Sequence, residues 1–88
     1  MSVSTENDLN VQSFLKPGNR AYLIGIGGIG MSGLARTLKH LGLQVSGSDV
    51  KQSEATAELV RSGISVYIGH DMTHVHHQDL VITRQLFP

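Results

Sequence analysis

The chain has 88 residues, no cysteine, and seven basic and seven acidic side chains. This length allows one small domain, the lack of cysteine excludes disulfides and thiolate chemistry, and the zero formal net charge excludes the basic field that non-specific nucleic-acid binding needs. The sequence shows no polybasic patch, signal peptide or apolar run of about 20 residues. We therefore expect a soluble, cytoplasmic protein with neither nucleic acid nor membrane as a partner.

The predicted elements follow a polar N-terminal segment. Residues 1–18 are expected to be a loose segment in which Phe14 and Leu15 contact the body of the domain, and residues 19–88 are expected to form that domain. Its first element, A-Y-L-I-G-I at 21–26, is apolar without polar alternation, which is typical of a parallel strand covered on both faces.

A helix is predicted directly after the glycines that follow this strand. Its apolar residues recur at helical spacing and form one stripe, consisting of Met31, Leu34, Ala35, Leu38 and Leu41. Gly42 suits the C-terminal end of this helix, and Lys39 and His40 lie in the last turn, where cations interact favourably with the helix dipole.

Strand and helix alternate through the rest of the chain. The pattern predicts a strand at 44–48 that ends at Asp49, a helix capped by Ser53 with Ala55, Leu59 and Val60 facing inward, and strands at 65–68 and 80–83. A repeat of about 20 residues per strand–helix unit indicates right-handed βαβ connections. We therefore predict an α/β domain with a Rossmann-like parallel sheet of about four to five strands and flanking helices.

The turn after the first strand contains a phosphate-binding pattern. Gly25, Gly27 and Gly30 form G-x-G-x-x-G, with Gly28 as an additional glycine inside it. In this pattern Gly25 allows a tight turn, Gly27 lets a phosphate approach the backbone, and Gly30 lets the helix pack against the strand. The helix N-terminus then offers unpaired N–H groups to an anion. A purely structural tight turn is the alternative.

An acidic residue stands where the pattern requires one. Asp49 ends the second predicted strand about 20 residues after the glycines, and its carboxylate suits a ribose hydroxyl or a base N–H. A cap or Asx turn before the next helix is the alternative, and Ser48 beside it suits either role. No G-x-x-x-x-G-K-[ST] occurs in the sequence, so these residues encode no ATP-cradling P-loop.

Histidines cluster after the third predicted strand. The stretch G-H-D-M-T-H-V-H-H, 69–77, has histidines at spacings that zinc sites use, but there is no cysteine and no single helical face carries them all. We predict a solvated loop and no metal site. His70 is the exception, because it follows a strand at the edge where α/β sheets bind ligands. It is either a ligand contact or a surface residue.

Three blocks resemble a known family. They are I-G-I-G-G-I-G-M-S-G-L-A at 24–35, L-G-L-Q-V-S-G-S-D at 41–49 and G-I-S-V-Y-I-G-H-D at 63–71. In this order and spacing they are similar to the N-terminal domain of the Mur ligases, most closely the branch that adds L-alanine to UDP-N-acetylmuramate. The murein-peptide ligases are a near alternative whose glycine loop has a different composition.

The resemblance implies a Rossmann-like domain that binds the UDP part of UDP-N-acetylmuramate and not NAD. The residues that it places at the substrate are Gly25, Gly27, Gly28, Ile29, Gly30 and Met31 around the diphosphate, Ser48 and Asp49 near the uridine, and His70 at the ligand edge. It implies no catalytic residue and no cofactor in these 88 residues. ATP and magnesium belong to the full-length ligase, so the chain alone is expected to bind the UDP-sugar without catalysing.

The C-terminal residues depart from the family pattern. After D-L-V-I the family usually continues with a serine-rich segment, whereas this chain reads T-R-Q-L-F-P. An open sheet edge there favours self-association. Two other functions fit the loop and Asp49 as well: an NAD-binding module of a dehydrogenase or regulatory sensor, and a structural domain without a ligand.

Overall fold

A computed structural model describes residues 13–69, 75 and 77–83. Its elements, in chain order, are β1 (Arg20–Ile24), α1 (Met31–His40), β2 (Gln44–Asp49), α2 (Glu54–Arg61), β3 (Ser65–Ile68) and β4 (Leu80–Thr83). The four strands form one parallel sheet in the order β3-β2-β1-β4. The predicted Rossmann-like α/β fold is confirmed. Among the described residues no helix is long and apolar enough to cross a membrane.

Strand β1 lies at the centre of the sheet. Ala21, Tyr22 and Leu23 are fully buried although neighbouring side chains of a strand point to opposite faces, so both faces of β1 are covered, as predicted. β2 pairs with one edge of β1 and β4 with the other. The strand order therefore reverses beside β1, and ligands of open α/β sheets bind outside the carboxyl ends of the strands at such a reversal.

The two helices pack together on one face of the sheet. Ala35 and Leu38 from α1 and Leu59 from α2 join Leu23 of β1 and Val45 of β2 in a single buried cluster. Aliphatic side chains of this kind contribute about 1.5–3 kcal/mol each when fully buried. The core therefore holds α1 against β1 and β2 and α2 against β3, on the same face of the sheet, and it fixes where the helix N-termini lie.

Two residues that were predicted to lie on the buried faces of the helices, Leu41 and Val60, are exposed. Leu41 is 46% exposed, because α1 ends at His40 and Leu41 is already its C-cap. Val60 is 56% exposed, because it lies about 100° around the helix from the buried Leu59. The inward position one turn earlier is taken by Thr56, which is 2% exposed.

The segment before β1 joins the domain from residue 13 onward. Leu15 packs against the core as expected, whereas Phe14 is 40% exposed. The backbone N–H of Gly18 donates to the Gly42 carbonyl at 2.9 Å, which ties this segment to the end of α1. Residues 1–12 of the segment predicted to be loose lie outside the described ranges, as do residues 84–88 of the atypical C-terminal stretch, whereas its first residue, Thr83, ends β4.

Candidate functional site

The predicted site residues meet at the carboxyl edge of the sheet. The glycine loop (residues 25–30) follows β1, Asp49 ends β2, and Ile68 lies opposite Asp49 in the β2–β3 register. Eight of the nine predicted positions are described, namely Gly25, Gly27, Gly28, Ile29, Gly30, Met31, Ser48 and Asp49. The ninth, His70, lies outside the described residues together with His74 and His76, so its ligand contact stays a prediction.

The first half of the glycine loop is fastened to the end of β2. The N–H groups of Gly25 and Ile26 both donate to the Ser48 carbonyl, at 2.8 and 2.9 Å. The Gly28 N–H turns back to the Gly25 carbonyl at 3.0 Å. The Ser48 side chain is itself buried, with the residue only 5% exposed. In this structure Ser48 therefore holds the loop through its backbone, and its contact with a nucleoside stays a prediction.

Asp49 binds the loop through its side chain. Its Oδ2 accepts a hydrogen bond from the Gly27 N–H at 2.8 Å, and its Oδ1 accepts one from the Val50 N–H at 2.8 Å. Asp49 thus supports the glycine loop, which differs from the predicted cap or Asx turn before the next helix, because the N-cap of α2 is Ser53. Each carboxylate oxygen can accept a further bond, so a ribose hydroxyl remains compatible with this arrangement.

The structure bears on the roles that the sequence predicts for two glycines of the loop, Gly30 and Gly27. Gly30 has a φ of +84° and no atom within 4 Å of an added Cβ, so it serves a left-handed backbone and not the close helix–strand packing that we predicted. An added Cβ on Gly27 would lie 2.8 Å from Asp49 Oδ2 and from Thr56 Cγ2. The space that a side chain on Gly27 would need is therefore filled by protein atoms, and the approach of a phosphate to its backbone stays a prediction.

The N-terminus of α1 is open to solvent. Its N-cap, Gly30, has no side-chain cap bond, and its first turn contains no acidic residue. Among the described residues, the N–H groups of Ile29 and Gly30 have no acceptor, whereas that of Met31 donates to the Gly28 carbonyl at 3.1 Å. The Ile29 side chain is 91% exposed. The unpaired amides of Ile29 and Gly30 thus stand at the positive end of the α1 dipole, and the N–H of Gly33 also has no acceptor among the described residues.

Helix α2 begins at the same edge of the sheet, and its N-terminus carries a side-chain cap. Ser53 and Thr56 form a capping box, and Glu54 lies in the first turn. The capping box satisfies the N–H groups of Ser53 and Thr56, and the Glu54 carboxylate lies at the positive end of the helix dipole. Among the described residues, the N–H groups of Glu54 and Ala55 have no acceptor. The first turn of α1, by contrast, has neither a side-chain cap nor an acidic residue.

The structural roles of two residues, Thr56 and Gly47, were not predicted from the sequence. Thr56 occupies the third position after the Ser53 cap, where capping boxes usually carry Glu or Gln. Gly47 lies inside β2, where an added Cβ would collide with the Leu23 carbonyl oxygen and the Ile26 side chain. The S-x-x-T spacing and a glycine within a strand were the signals that pointed to them.

Comparison with known proteins identifies the family. The sequence pattern described as "Mur ligase family, catalytic domain" matches residues 20–88. The chain belongs to the Mur ligase family. This Mur ligase chain is 50% identical over 64 residues to the UDP-N-acetylmuramate–L-alanine ligase of Caldicellulosiruptor bescii, a match that covers 73% of the chain and 14% of that relative.

Further matches agree with this assignment. The UDP-N-acetylmuramate–L-alanine ligase of a Hydrogenobaculum species is 49% identical over 61 residues, which cover 69% of the chain and 14% of the relative. The crystal structure of a murein peptide ligase from Psychrobacter arcticus 273-4 superimposes with a TM-score of 0.69 at 29% identity, covering 75% of the chain and 14% of that protein. The chain thus spans about one seventh of these relatives.

Proposed function

We propose that this chain is the part of an ATP-dependent ligase that binds the UDP portion of UDP-N-acetylmuramate, the substrate to which the full-length enzyme joins L-alanine. The names of the curated relatives and the family match support this substrate. Because the chain spans 14% of those relatives, we assign ATP, magnesium and alanine to the remainder of the ligase. The 88-residue chain then binds the nucleotide sugar and does not catalyse. We place the complete ligase in the cytoplasm, without nucleic acid or membrane as a partner.

The observation that carries the proposal is the open N-terminus of α1. A diphosphate needs hydrogen-bond donors and a positive potential, and the free amides of Ile29 and Gly30 provide both at one place. The Gly27 N–H is bonded to Asp49 and is therefore not a donor to the phosphate. This hydrogen bond instead supports the loop segment that carries the two free amides. Asp49 then lies beside the nucleoside, where its free lone pairs accept from a ribose or uracil group.

The same loop geometry would also serve a dinucleotide, and the family match is the observation that favours the UDP-sugar. Phosphate contacts at a helix N-terminus are shared by both classes of nucleotide. The three sequence blocks around the loop and the relatives' names favour the UDP-sugar over NAD.

Isothermal titration of the 88-residue chain tests the proposal. We expect saturable binding of UDP-N-acetylmuramate and of UDP, weaker binding of uridine because the diphosphate is missing, and no binding of NADH. Binding of NADH without binding of the UDP-sugar would overturn the proposal. Equal affinity for uridine and UDP would show that the diphosphate does not contribute to binding and would contradict that part of the proposal.

A further inference from the structure

The N-terminus of α2 lies directly against the glycine loop. A Cβ added to Gly27 would lie 2.8 Å from the Thr56 Cγ2 methyl and 3.3 Å from Ser53 Oγ. Thr56 is 2% exposed, although it stands in the first turn of a surface helix. Its methyl group therefore packs on the backbone of Gly27, where any residue larger than glycine would displace it.

The hydroxyl of the same threonine closes the cap of α2. Thr56 Oγ1 accepts from the Ser53 N–H at 2.9 Å and donates to the Ser53 carbonyl at 3.0 Å. In return, Ser53 Oγ accepts from the Thr56 N–H at 3.2 Å. Glu or Gln at this position also closes a capping box but has no branched methyl at Cβ. Threonine serves the cap with one branch and contacts the loop with the other.

We propose that Thr56 is a positioning residue for the phosphate loop. Its methyl and the Asp49 carboxylate both contact Gly27 on the side where a Cβ would stand, and this fixes the part of the loop that carries the free amides of Ile29 and Gly30. The role rests on the proposed binding of a diphosphate by those amides. The Thr56 side chain thus contributes both to the cap of α2 and to the geometry of the loop.

Two conservative variants separate the methyl from the hydroxyl. Thr56→Ser keeps the hydroxyl and removes the methyl, so the affinity for UDP-N-acetylmuramate, measured at a temperature where the chain is folded, falls about three- to tenfold. Thr56→Val keeps the shape against Gly27 and breaks the cap, so the melting temperature falls by about 4–8 °C while affinity at a temperature where the chain is folded stays near the wild-type value. Wild-type affinity in Thr56→Ser, or an equal loss of affinity in both variants, would overturn the proposal.

The Gly27 amide proton gives a readout that needs no ligand. Its hydrogen exchange is expected to be faster in Thr56→Ser than in the wild type, because Asp49 then holds Gly27 without the packing of the Thr56 methyl. Equal protection in the two proteins would overturn the positioning role. Faster exchange in Thr56→Ser, together with a wild-type chain that does not bind the UDP-sugar, would support the positioning role and contradict the proposed function.

Discussion

Asp49 at the end of β2 holds Gly27 of the glycine loop through a hydrogen bond of 2.8 Å between Oδ2 and the backbone N–H. The acceptor is a carboxylate, so this bond is about twice as strong as one between neutral groups. The loop is thus fixed before any ligand arrives. The acidic residue of the phosphate-binding pattern therefore has a structural role in addition to the nucleoside contact that we propose.

The first prediction concerns the two roles of Asp49. Asp49→Ala leaves the N–H groups of Gly27 and Val50 without their acceptor, and we expect a loss of about 1–3 kcal/mol in the free energy of unfolding. Asp49→Asn keeps one acceptor oxygen and should lose less. Urea denaturation measures both values. An Asp49→Ala chain that is as stable as the wild type but binds the UDP-sugar weakly would assign Asp49 to the ligand alone.

The second prediction compares two glycines that lie close in sequence. Gly27→Ala forces a methyl into the Asp49 carboxylate and the Thr56 methyl, and such overpacking costs about 1–3 kcal/mol. Gly33 in α1 has no atom within 4 Å of an added Cβ, so Gly33→Ala should stabilise the chain by about 0.5–1 kcal/mol. Thermal unfolding of the two variants gives the comparison. Equal stability of the two variants would show that the space beside Gly27 is open.

The third prediction tests the open helix N-terminus by charge. Ser32→Asp places a carboxylate in the first turn of α1, which should stabilise the free chain by about 0.3–1 kcal/mol and weaken UDP-N-acetylmuramate binding by about tenfold or more. Gln44→Glu adds the same charge at the exposed amino end of β2 and is the matched control. Calorimetric titration should show a loss of affinity only for the first variant. Equal losses would attribute the effect to net charge and not to the helix N-terminus.

The strand framework and the place of the glycine loop at the carboxyl edge of the sheet were predictable from the sequence, because apolar runs and glycine spacing report local geometry directly. The buried run around Leu23 predicted a central strand, and Ser53 predicted the start of α2. What the sequence could not show were contacts across the chain. The bond from Gly27 to Asp49 and the methyl of Thr56 against the loop depend on how β2 and α2 pack beside β1, which local patterns do not encode.

The fourth prediction concerns the outer edge of β4. In the described part of the chain this strand pairs with β1 on one side only, and Val81 at its middle is 45% exposed. Unpaired strand edges with apolar side chains associate, so we expect the 88-residue chain to form dimers or larger species as its concentration rises. Val81→Lys should shift sedimentation toward the monomer. A wild-type chain that stays monomeric over the whole concentration range would contradict this prediction.

An amide-resolved NMR titration of the chain with UDP-N-acetylmuramate tests the central claim most directly. We predict that the largest saturable changes occur at the N–H groups of Ile29 and Gly30, because these are free donors at the start of α1. The Gly27 amide should keep the shift of a proton bonded to Asp49. Saturable changes confined to other parts of the sheet, with Ile29 and Gly30 unmoved, would contradict the account.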